Sequence, residues 1–318
     1  MEGVFLDLAT VDQADLDLSP LREALPRWRM YARPEGGLVE TIGDAAVVVT
    51  NKQRLDARVL RAAPGLRLIC LAATGTDNVD LAAAAARGIA VSNIRDYCTA
   101  SVVEQVFALL LALSRRLPEH TAAVRRGEWA RAGQFSLLDY PFGELHGRRL
   151  GIVGHGTLGG AVAVAARAFG MDVLVARRPG GGDRRQGRLP LDELLRHADV
   201  LSLHCPLTPA TRRLIGETEL ARMKPGAILI NTARGALVDG AALLRSLRDG
   251  RLGGAGIDVL PQEPPAAADP LASARLDNLL VTPHVAWASH QARQRAVEEV
   301  AANIRAWLAG RARNRVES

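Results

Sequence analysis

The sequence predicts an α/β protein with two doubly wound parallel-sheet domains, and three observations carry that expectation. Short apolar runs alternate with longer helical patterns along the whole chain, as in strand-helix-strand units whose sheets are covered on both faces. The 318 residues exceed one domain at roughly 150 residues per domain. The glycine-rich turn Gly154-His155-Gly156-Thr157-Leu158-Gly159 begins only midway, leaving too much alternating strand and helix before it for a single domain.

In chain order, the first apolar runs place strands at residues 4–8, 45–49, 66–71 and 89–91. Residues 99–117 then form a long apolar helix with Ser101 and Glu104 near its start, followed by Pro118. The stretch 127–146, rich in aromatics and glycine, carries no period and reads as an extended loop or arm. A second series of strands is expected at 150–153, 172–176, 200–203, 227–230, 256–259 and 279–281, with helices at 157–169, 191–197 and 240–249 between them. Residues 289–308 form a long amphipathic helix, free to return to the first domain.

With 48% hydrophobic and 23% charged residues, the composition is that of a folded globular protein rather than a disordered chain. The longest purely apolar run, 106–113, is less than half of the roughly 20 residues of a membrane-spanning helix. The N-terminus has no basic-then-apolar leader pattern. No membrane association and a cytoplasmic address are therefore expected. Cys70, Cys98 and Cys205 match neither a disulfide framework nor a zinc cluster, so no metal site is expected and the thiols read as small buried hydrophobes. The net charge is +6, and with only Lys52 and Lys224 as lysines nearly all of the 40 basic residues are arginine. They are scattered over a chain that is only 4% aromatic, which predicts surface arginine and no nucleic-acid partner.

The strongest local signal is Leu150-Gly151-Ile152-Val153 running into the turn at Gly154 and then into an alanine-rich helix. This is the dinucleotide-binding fingerprint in its required strand-turn-helix context. Gly154 makes the tight turn, Gly156 lets amides approach a pyrophosphate, and Gly159 lets helix and strand pack closely, with Thr157 and Leu158 opening the helix toward the phosphate charge. The following strand should end where an acidic side chain would accept bonds from the adenosine ribose. Here Arg177 and Arg178 stand instead, with Arg184 and Arg185 just beyond Gly180-Gly181-Gly182. Arginine can fork onto a 2'-phosphate, so NADP(H) is expected in preference to NAD(H), with NAD(H) as the alternative cofactor. The competing reading is solvated loop arginine.

Later motifs are Asn231-Thr232-Ala233-Arg234-Gly235, Gly256-Ile257-Asp258-Val259 with Glu263-Pro264, and Thr282-Pro283-His284-Val285-Ala286-Trp287. With Ala73-Thr74-Gly75-Thr76-Asp77-Asn78-Val79-Asp80, Ser101-Val102-Val103-Glu104, His204-Cys205-Pro206-Leu207-Thr208 and Met223-Lys224-Pro225-Gly226, they span nearly the whole chain. The sequence resembles the D-isomer-specific 2-hydroxyacid dehydrogenases. The segment Phe135-Ser136-Leu137-Leu138-Asp139-Tyr140-Pro141 and Ala286-Trp287-Ala288 look most like the glycerate dehydrogenase or hydroxypyruvate reductase branch.

The resemblance implies two Rossmann-like domains with a cofactor domain, 99–288, inserted into a substrate domain made of 1–98 and 289–318, the active cleft lying between them. It also implies a homodimer, in which 127–146 would take part. By resemblance His284 is the acid-base group, Glu263 bonds its other ring nitrogen and Arg234 clamps the substrate. Asp258 would meet the nicotinamide carboxamide, and Cys205, Pro206, Thr232, Ala233 and His284 would line the cofactor. The chemistry agrees: reducing a 2-keto acid needs a hydride, a proton for the oxygen, and a cation that holds the carboxylate. Anionic Glu263 favours the imidazolium, and arginine suits bidentate carboxylate binding. Backbone amides at Thr74, Gly75 and Thr76 would hold the substrate carboxylate, with Asn51 lining the same site.

The expected reaction is hydride transfer between NADP(H) and a small 2-keto acid or D-2-hydroxy acid, such as hydroxypyruvate and D-glycerate or glyoxylate and glycolate. Formate dehydrogenase is disfavoured, because glutamine would be expected where Glu263 stands. A phosphite dehydrogenase would keep the same triad, and a dinucleotide-sensing corepressor is the alternative from outside enzymology.

Overall fold

The computed structural model describes residues 1–178 and 185–316. The chain forms two compact units, one from 1–98 with 288–318 and the other from 99–287. Each has its own core.

In the first unit, β1 (Glu2–Phe5), β2 (Arg27–Met30), β3 (Val47–Thr50), β4 (Leu68–Leu71) and β5 (Ala90–Ser92) form a parallel sheet in the order β2-β1-β3-β4-β5. The inner strands β3 and β4, Val-Val-Val-Thr and Leu-Ile-Cys-Leu, are buried at every position, as a sheet covered on both faces demands. β2 lay outside the sequence expectation. It is an edge strand, Arg-Trp-Arg-Met, that is partly exposed and lacks an apolar run. The helix His290–Leu308 belongs to this unit and starts at Ser289, whose side chain accepts from the Ala292 amide.

The second unit carries a seven-stranded parallel sheet. Its strands are β6 (Arg149–Val153), β7 (Asp172–Ala176), β8 (Arg188–Leu189), β9 (Val200–Leu203), β10 (Ala227–Asn231), β11 (Leu252–Ile257) and β12 (Leu279–Val281). Their order is β12-β11-β10-β9-β6-β7-β8. The chain winds outward from β6 through β7 to β8, then returns to β9 on the other side and winds out to β12. Such a reversal, here between β6 and β9, is where open α/β sheets hold their ligands, beyond the carboxyl ends of the strands.

Several boundaries move from the sequence expectation. The helix expected over 99–117 ends at Ser114, because Arg116 takes a left-handed φ of 49° and a second helix, Leu117–Arg125, begins there. Pro118 occupies the first turn of that second helix, where its missing N–H costs nothing. The stretch 127–146, read as loop throughout, contains the short helix Glu128–Ala132. β11 begins four residues before the expected 256–259 and ends at Ile257. Its glycines disguise it as a turn and exist for packing: a Cβ on Gly256 would lie 2.8 Å from Leu109 Cβ, and one on Gly254 would lie 3.1 Å from Leu113 Cδ2. The helix Thr99–Ser114 is thus laid directly on β11. No helix among the described residues is long and apolar enough to cross a membrane.

Candidate active site

The register of the second sheet explains where the motif residues gather. Val153, Leu203, Asn231, Ile257 and Val281 are successive partners across β6, β9, β10, β11 and β12. The chain leaves the sheet at the next residue of each strand: Gly154, His204, Thr232, Asp258 and Thr282. On the other side, Arg177 follows β7. The fingerprint, the Thr232 to Arg234 segment, Asp258, Glu263 and His284 therefore all rise from one edge of one sheet.

At β6 the glycines act as their spacing requires. Gly154 has φ of 97°, and a Cβ there would stand 2.5 Å from the Cys205 amide nitrogen. A Cβ on Gly159 would stand 2.0 Å from the Gly154 carbonyl oxygen. Around Gly156, by contrast, no heavy atom lies within 4 Å of the Cβ position. The helix Thr157–Ala168 has no side-chain cap at Gly156, and its first amides, those of Thr157, Leu158 and Gly159, make no hydrogen bond to the described residues. Next to them Cys205 is 6% exposed, and burial pushes its thiol up to about 11, which keeps it neutral. Pro206 beside it is exposed.

Arg177 is exposed at the end of β7. Its amide donates to Leu189 O at 2.8 Å and its Nε to Arg188 O at 3.2 Å, which anchors the guanidinium over β8. Arg178 and Arg185 are engaged in further interactions. Arg184 and the Gly180-Gly181-Gly182 turn fall outside the described residues.

Three turns at β10, β11 and β12 are tied together. The buried Asn231 accepts from the Ala233 amide at 3.0 Å through Oδ1 and donates to Arg234 O at 2.9 Å through Nδ2. Arg234 donates through Nη1 to Ala233 O at 2.8 Å. Gly235 brings this turn onto the segment leading to Glu263, because its Cβ position is only 2.1 Å from the Leu260 carbonyl carbon. Glu263 accepts the Leu260 amide on Oε1 at 2.8 Å, and its Oε2 lies 2.6 Å from His284 Nδ1. The Glu263-Pro264 bond is cis. An ionised carboxylate only accepts, so Nδ1 carries its proton and Nε2 is the ring nitrogen left to give or take one. No hydrogen bond joins Nε2 to the described residues. Both side chains are partly exposed, 26% for His284 and 34% for Glu263.

His284 has φ of 55°, a left-handed conformation that costs a residue with a Cβ and needs holding. Asp258 does the holding. Only 1% exposed, it accepts the Val285 amide and the Thr282 hydroxyl on Oδ1 and the Ala286 amide on Oδ2, and its carbonyl accepts the His284 amide at 2.8 Å. A carboxylate expected to face a cofactor is thus also the internal clamp of the histidine turn. Asn231, Ser101, Gln105 and Thr282 share in this frame and were not singled out as site residues by the sequence. Asn231 and Thr282, polar residues at or one step past a strand end, carry the signal of any turn, and Ser101 and Gln105 are polar positions within a helix. Thr232 Oγ1 is buried with no hydrogen-bond partner among the described residues. With the free amides and the open space at Gly156, that orphaned hydroxyl fits a polar ligand lying along this edge.

The remaining predicted residues lie in the first unit. Thr74, Gly75 and Thr76 follow β4, and their three amides make no hydrogen bond to the described residues. Thr74 Oγ1 donates to Ile94 O at 2.8 Å, and Asn93 Nδ2 donates to Thr74 O at 2.7 Å, which fixes the turn. Asn51 is only 3% exposed. Its Nδ2 donates to Thr10 Oγ1 at 3.1 Å and its amide to Asp7 Oδ1 at 2.9 Å. Buried Asp7, another residue without a signal in the sequence, also takes the Lys52 amide at 2.7 Å. Among the described residues no group of three or more His, Cys, Asp or Glu could hold a metal ion.

Comparison with known proteins agrees with this geometry. Residues 107–286 match the family described as D-isomer specific 2-hydroxyacid dehydrogenase, NAD binding domain. A glycerate dehydrogenase of Methylorubrum extorquens is 47% identical over 281 residues, 88% of each chain. A D-lactate dehydrogenase of Aquifex aeolicus, solved with NAD and lactic acid, superposes with a TM-score of 0.82 at 32% identity, over 97% of this chain and 96% of that one. An acyclic imino acid reductase solved with NADPH and D-Arg gives 0.86 at 26% identity, over 99% and 100%. The chain belongs to the D-isomer-specific 2-hydroxyacid dehydrogenases and is an oxidoreductase of that family.

Proposed function

We propose that the protein reduces a small 2-keto acid, hydroxypyruvate or glyoxylate, to the D-2-hydroxy acid and prefers NADP(H) to NAD(H). The observation that carries the reading is the His284–Glu263 pair, 2.6 Å apart, with His284 Nε2 left without a hydrogen-bond partner among the described residues. The dinucleotide, when bound, supplies the hydride. His284 gives its Nε2 proton to the carbonyl oxygen, while Glu263 holds the ring through Nδ1. Arg234 binds the substrate carboxylate and polarises the carbonyl. The free amides of Thr74, Gly75 and Thr76, with Asn51 behind them, are the substrate-side anion donors of this reading.

The cofactor would be held by Gly154, Gly156, Thr157, Leu158 and Gly159 at its pyrophosphate. Cys205, Pro206, Thr232, Ala233 and Asp258 would line it, the last through the lone pair that its internal bonds leave. Arg177 and Arg178 would take the 2'-phosphate, and the absence of an acidic residue at the end of β7 supports that choice over NAD(H). In the same reading 1–98 with 289–318 is the substrate domain and 99–288 the cofactor domain.

A screen of NADPH and NADH oxidation against glyoxylate, hydroxypyruvate, pyruvate and phenylpyruvate tests the proposal. Turnover highest with glyoxylate and hydroxypyruvate, and with NADPH, is expected. No turnover with any of the four would overturn it. The reading includes a homodimer: Phe135 is 96% and Leu138 75% exposed in the arm, beside partly exposed Trp129 and Phe142, an apolar patch that a second copy would cover. A monomer by sedimentation at micromolar concentration would refute that part.

A further inference from the structure

The helix Thr99–Ser114 carries two polar side chains that reach the histidine turn from outside it. Gln105 donates through Nε2 to Thr282 Oγ1 at 3.1 Å. Thr282 in turn donates its hydroxyl proton to Asp258 Oδ1. The same carboxylate oxygen accepts the Val285 amide at 3.0 Å, and its neighbour accepts the Ala286 amide at 2.9 Å. From the other side, Ser101 donates through Oγ to Ala286 O at 2.7 Å. One turn and two turns beyond Gln105, Leu109 and Leu113 pack on the glycines of β11, which fixes the helix to the strand that carries Asp258.

We propose that Ser101 and Gln105 are positioning residues for the reduction: from the helix they hold the turn 282–286 so that His284 keeps its left-handed backbone, its Nδ1 stays on Glu263 and its Nε2 stays presented. The direction of each bond makes this a directed chain. Gln105 can only donate to Thr282 through its amide nitrogen, which leaves the threonine hydroxyl proton for Asp258 alone. Asp258 then has a lone pair for each of the two amides that follow His284. Removing the Gln105 donor frees Thr282 to rotate. Removing the Ser101 hydroxyl frees the carbonyl at the far end of the turn. Both losses act on His284 without touching it, and the inference rests on the catalytic reading given above for that residue.

The experiment uses the full-length protein, labelled with 15N-histidine, as parent, Gln105→Met, Ser101→Ala and Ser101→Thr. Gln105→Met keeps the length of the side chain and loses the donor, and Ser101→Thr keeps the hydroxyl. The His284 ring signals are assigned by their loss in His284→Ala. They are expected to shift in Gln105→Met and Ser101→Ala, to return toward the parent in Ser101→Thr, and to leave the other histidine signals in place. Where the parent turns over a keto acid, kcat should fall about five- to tenfold in the two donor-loss variants, the effect of one buried hydrogen bond of about 1 kcal/mol. The keto-acid KM and the NADPH dissociation constant should change less than twofold. His284 signals superimposable on the parent's in Gln105→Met and Ser101→Ala would overturn the proposal, as would an unchanged kcat. A parent without keto-acid turnover whose His284 signals still move would overturn the proposed reaction and leave the linkage between helix and histidine established.

Discussion

Two glycines of the fingerprint, three residues apart, should respond oppositely to the same added methyl group. In Gly159→Ala the new Cβ would lie 2.0 Å from the Gly154 carbonyl oxygen and 3.1 Å from its carbon. An ordinary C···O contact is about 3.3 Å or more, so helix and turn must separate by about 1.3 Å, and the obstacle is backbone. Overpacking of this kind costs about 1 to 3 kcal/mol, or roughly 2 to 12 °C in thermal midpoint for a unit of this size. In Gly156→Ala the Cβ meets nothing within 4 Å. The residue also has φ of −92°, open to any amino acid. The unliganded midpoint should therefore move by no more than the roughly 0.5 kcal/mol typical of a harmless surface change. The space that the methyl would fill is the space the pyrophosphate needs, and at least one charge-assisted hydrogen bond to an amide, about 1.5 to 3 kcal/mol, should be lost. NADPH affinity is then expected to drop by about tenfold or more.

The assay is a pair of measurements on each variant: the calorimetric midpoint without ligand, and NADPH titration followed by tryptophan fluorescence. Gly156→Ala should lose binding alone, and Gly159→Ala should lose both. The reasoning fails if Gly156→Ala binds NADPH as the parent does, or if its midpoint falls as far as that of Gly159→Ala.

Four further outcomes follow from the site. Arg177→Asp should reverse or erase a preference for NADPH, since one arginine-phosphate contact of about 1.5 to 3 kcal/mol makes it larger than tenfold; a parent equally efficient with NADH would contradict this. Arg234→Lys should lower keto-acid affinity and turnover together, because a point charge cannot make the two-pronged contact; kinetics within about threefold of the parent, under 1 kcal/mol, would remove the clamp. Glu263→Gln, which removes the carboxylate oxygen 2.6 Å from the His284 ring, should lower kcat for reduction about fivefold or more, the effect of one charge-assisted hydrogen bond of at least about 1 kcal/mol, and an unchanged kcat would separate Glu263 from the proposed proton step. Burial pushes His204 down to about 4 from 6.5, with its Nε2 on the buried Ser202 hydroxyl at 2.8 Å. The unfolded chain therefore binds the extra proton between those values, stability falls as pH drops from 6.5 toward 4, and the loss reaches about 3 kcal/mol at most. Denaturant titration of His204→Asn across that window should show a flatter pH dependence, and an identical slope would contradict the burial argument.

How much of this was legible depends on what kind of force fixes each part. Strands buried on both faces announce themselves, because Val47-Val48-Val49 and Leu68-Ile69-Cys70 have no other comfortable environment. Edge strands do not: Arg27–Met30 keeps its side chains partly in water, and Arg188–Leu189 is two residues long. β11 was misplaced because its strand character comes from the neighbours that Leu109 and Leu113 impose, while its glycines alone read as a turn. At the site, Arg234, Glu263 and His284 were legible through the resemblance. Their supports were not, because Asn231 and Asp258 satisfy amides that only the folded turns bring within reach, and in the first unit Asp7 does the same for the Asn51 amide. A polar residue after a strand looks the same whether it caps a turn or meets a ligand, and Asp258 shows that the first task can precede the second.

Adjacent strands lie about 4.8 Å apart, so the four steps from β6 to β12 separate the fingerprint from the histidine turn by roughly 19 Å along the sheet edge. A ligand that meets both must be elongated in that direction, with its phosphates at β6 and its reacting end at β12. The proposed roles thus depend on strand register before they depend on any single side chain. A one-residue slip of β10 against β11 would invert the faces of Asn231 and its neighbours and carry Gly235 away from Leu260, on the segment that leads to Glu263. The sheet does contain a register shift between these strands, but it falls between Ala227 and Ile228, at the opposite end from the site. From Ile228 to Asn231 the pairing with Gly254 to Ile257 is regular. The irregularity, which bends a strand and adds local twist, is therefore kept where it leaves the spacing of Arg234, Glu263 and His284 intact.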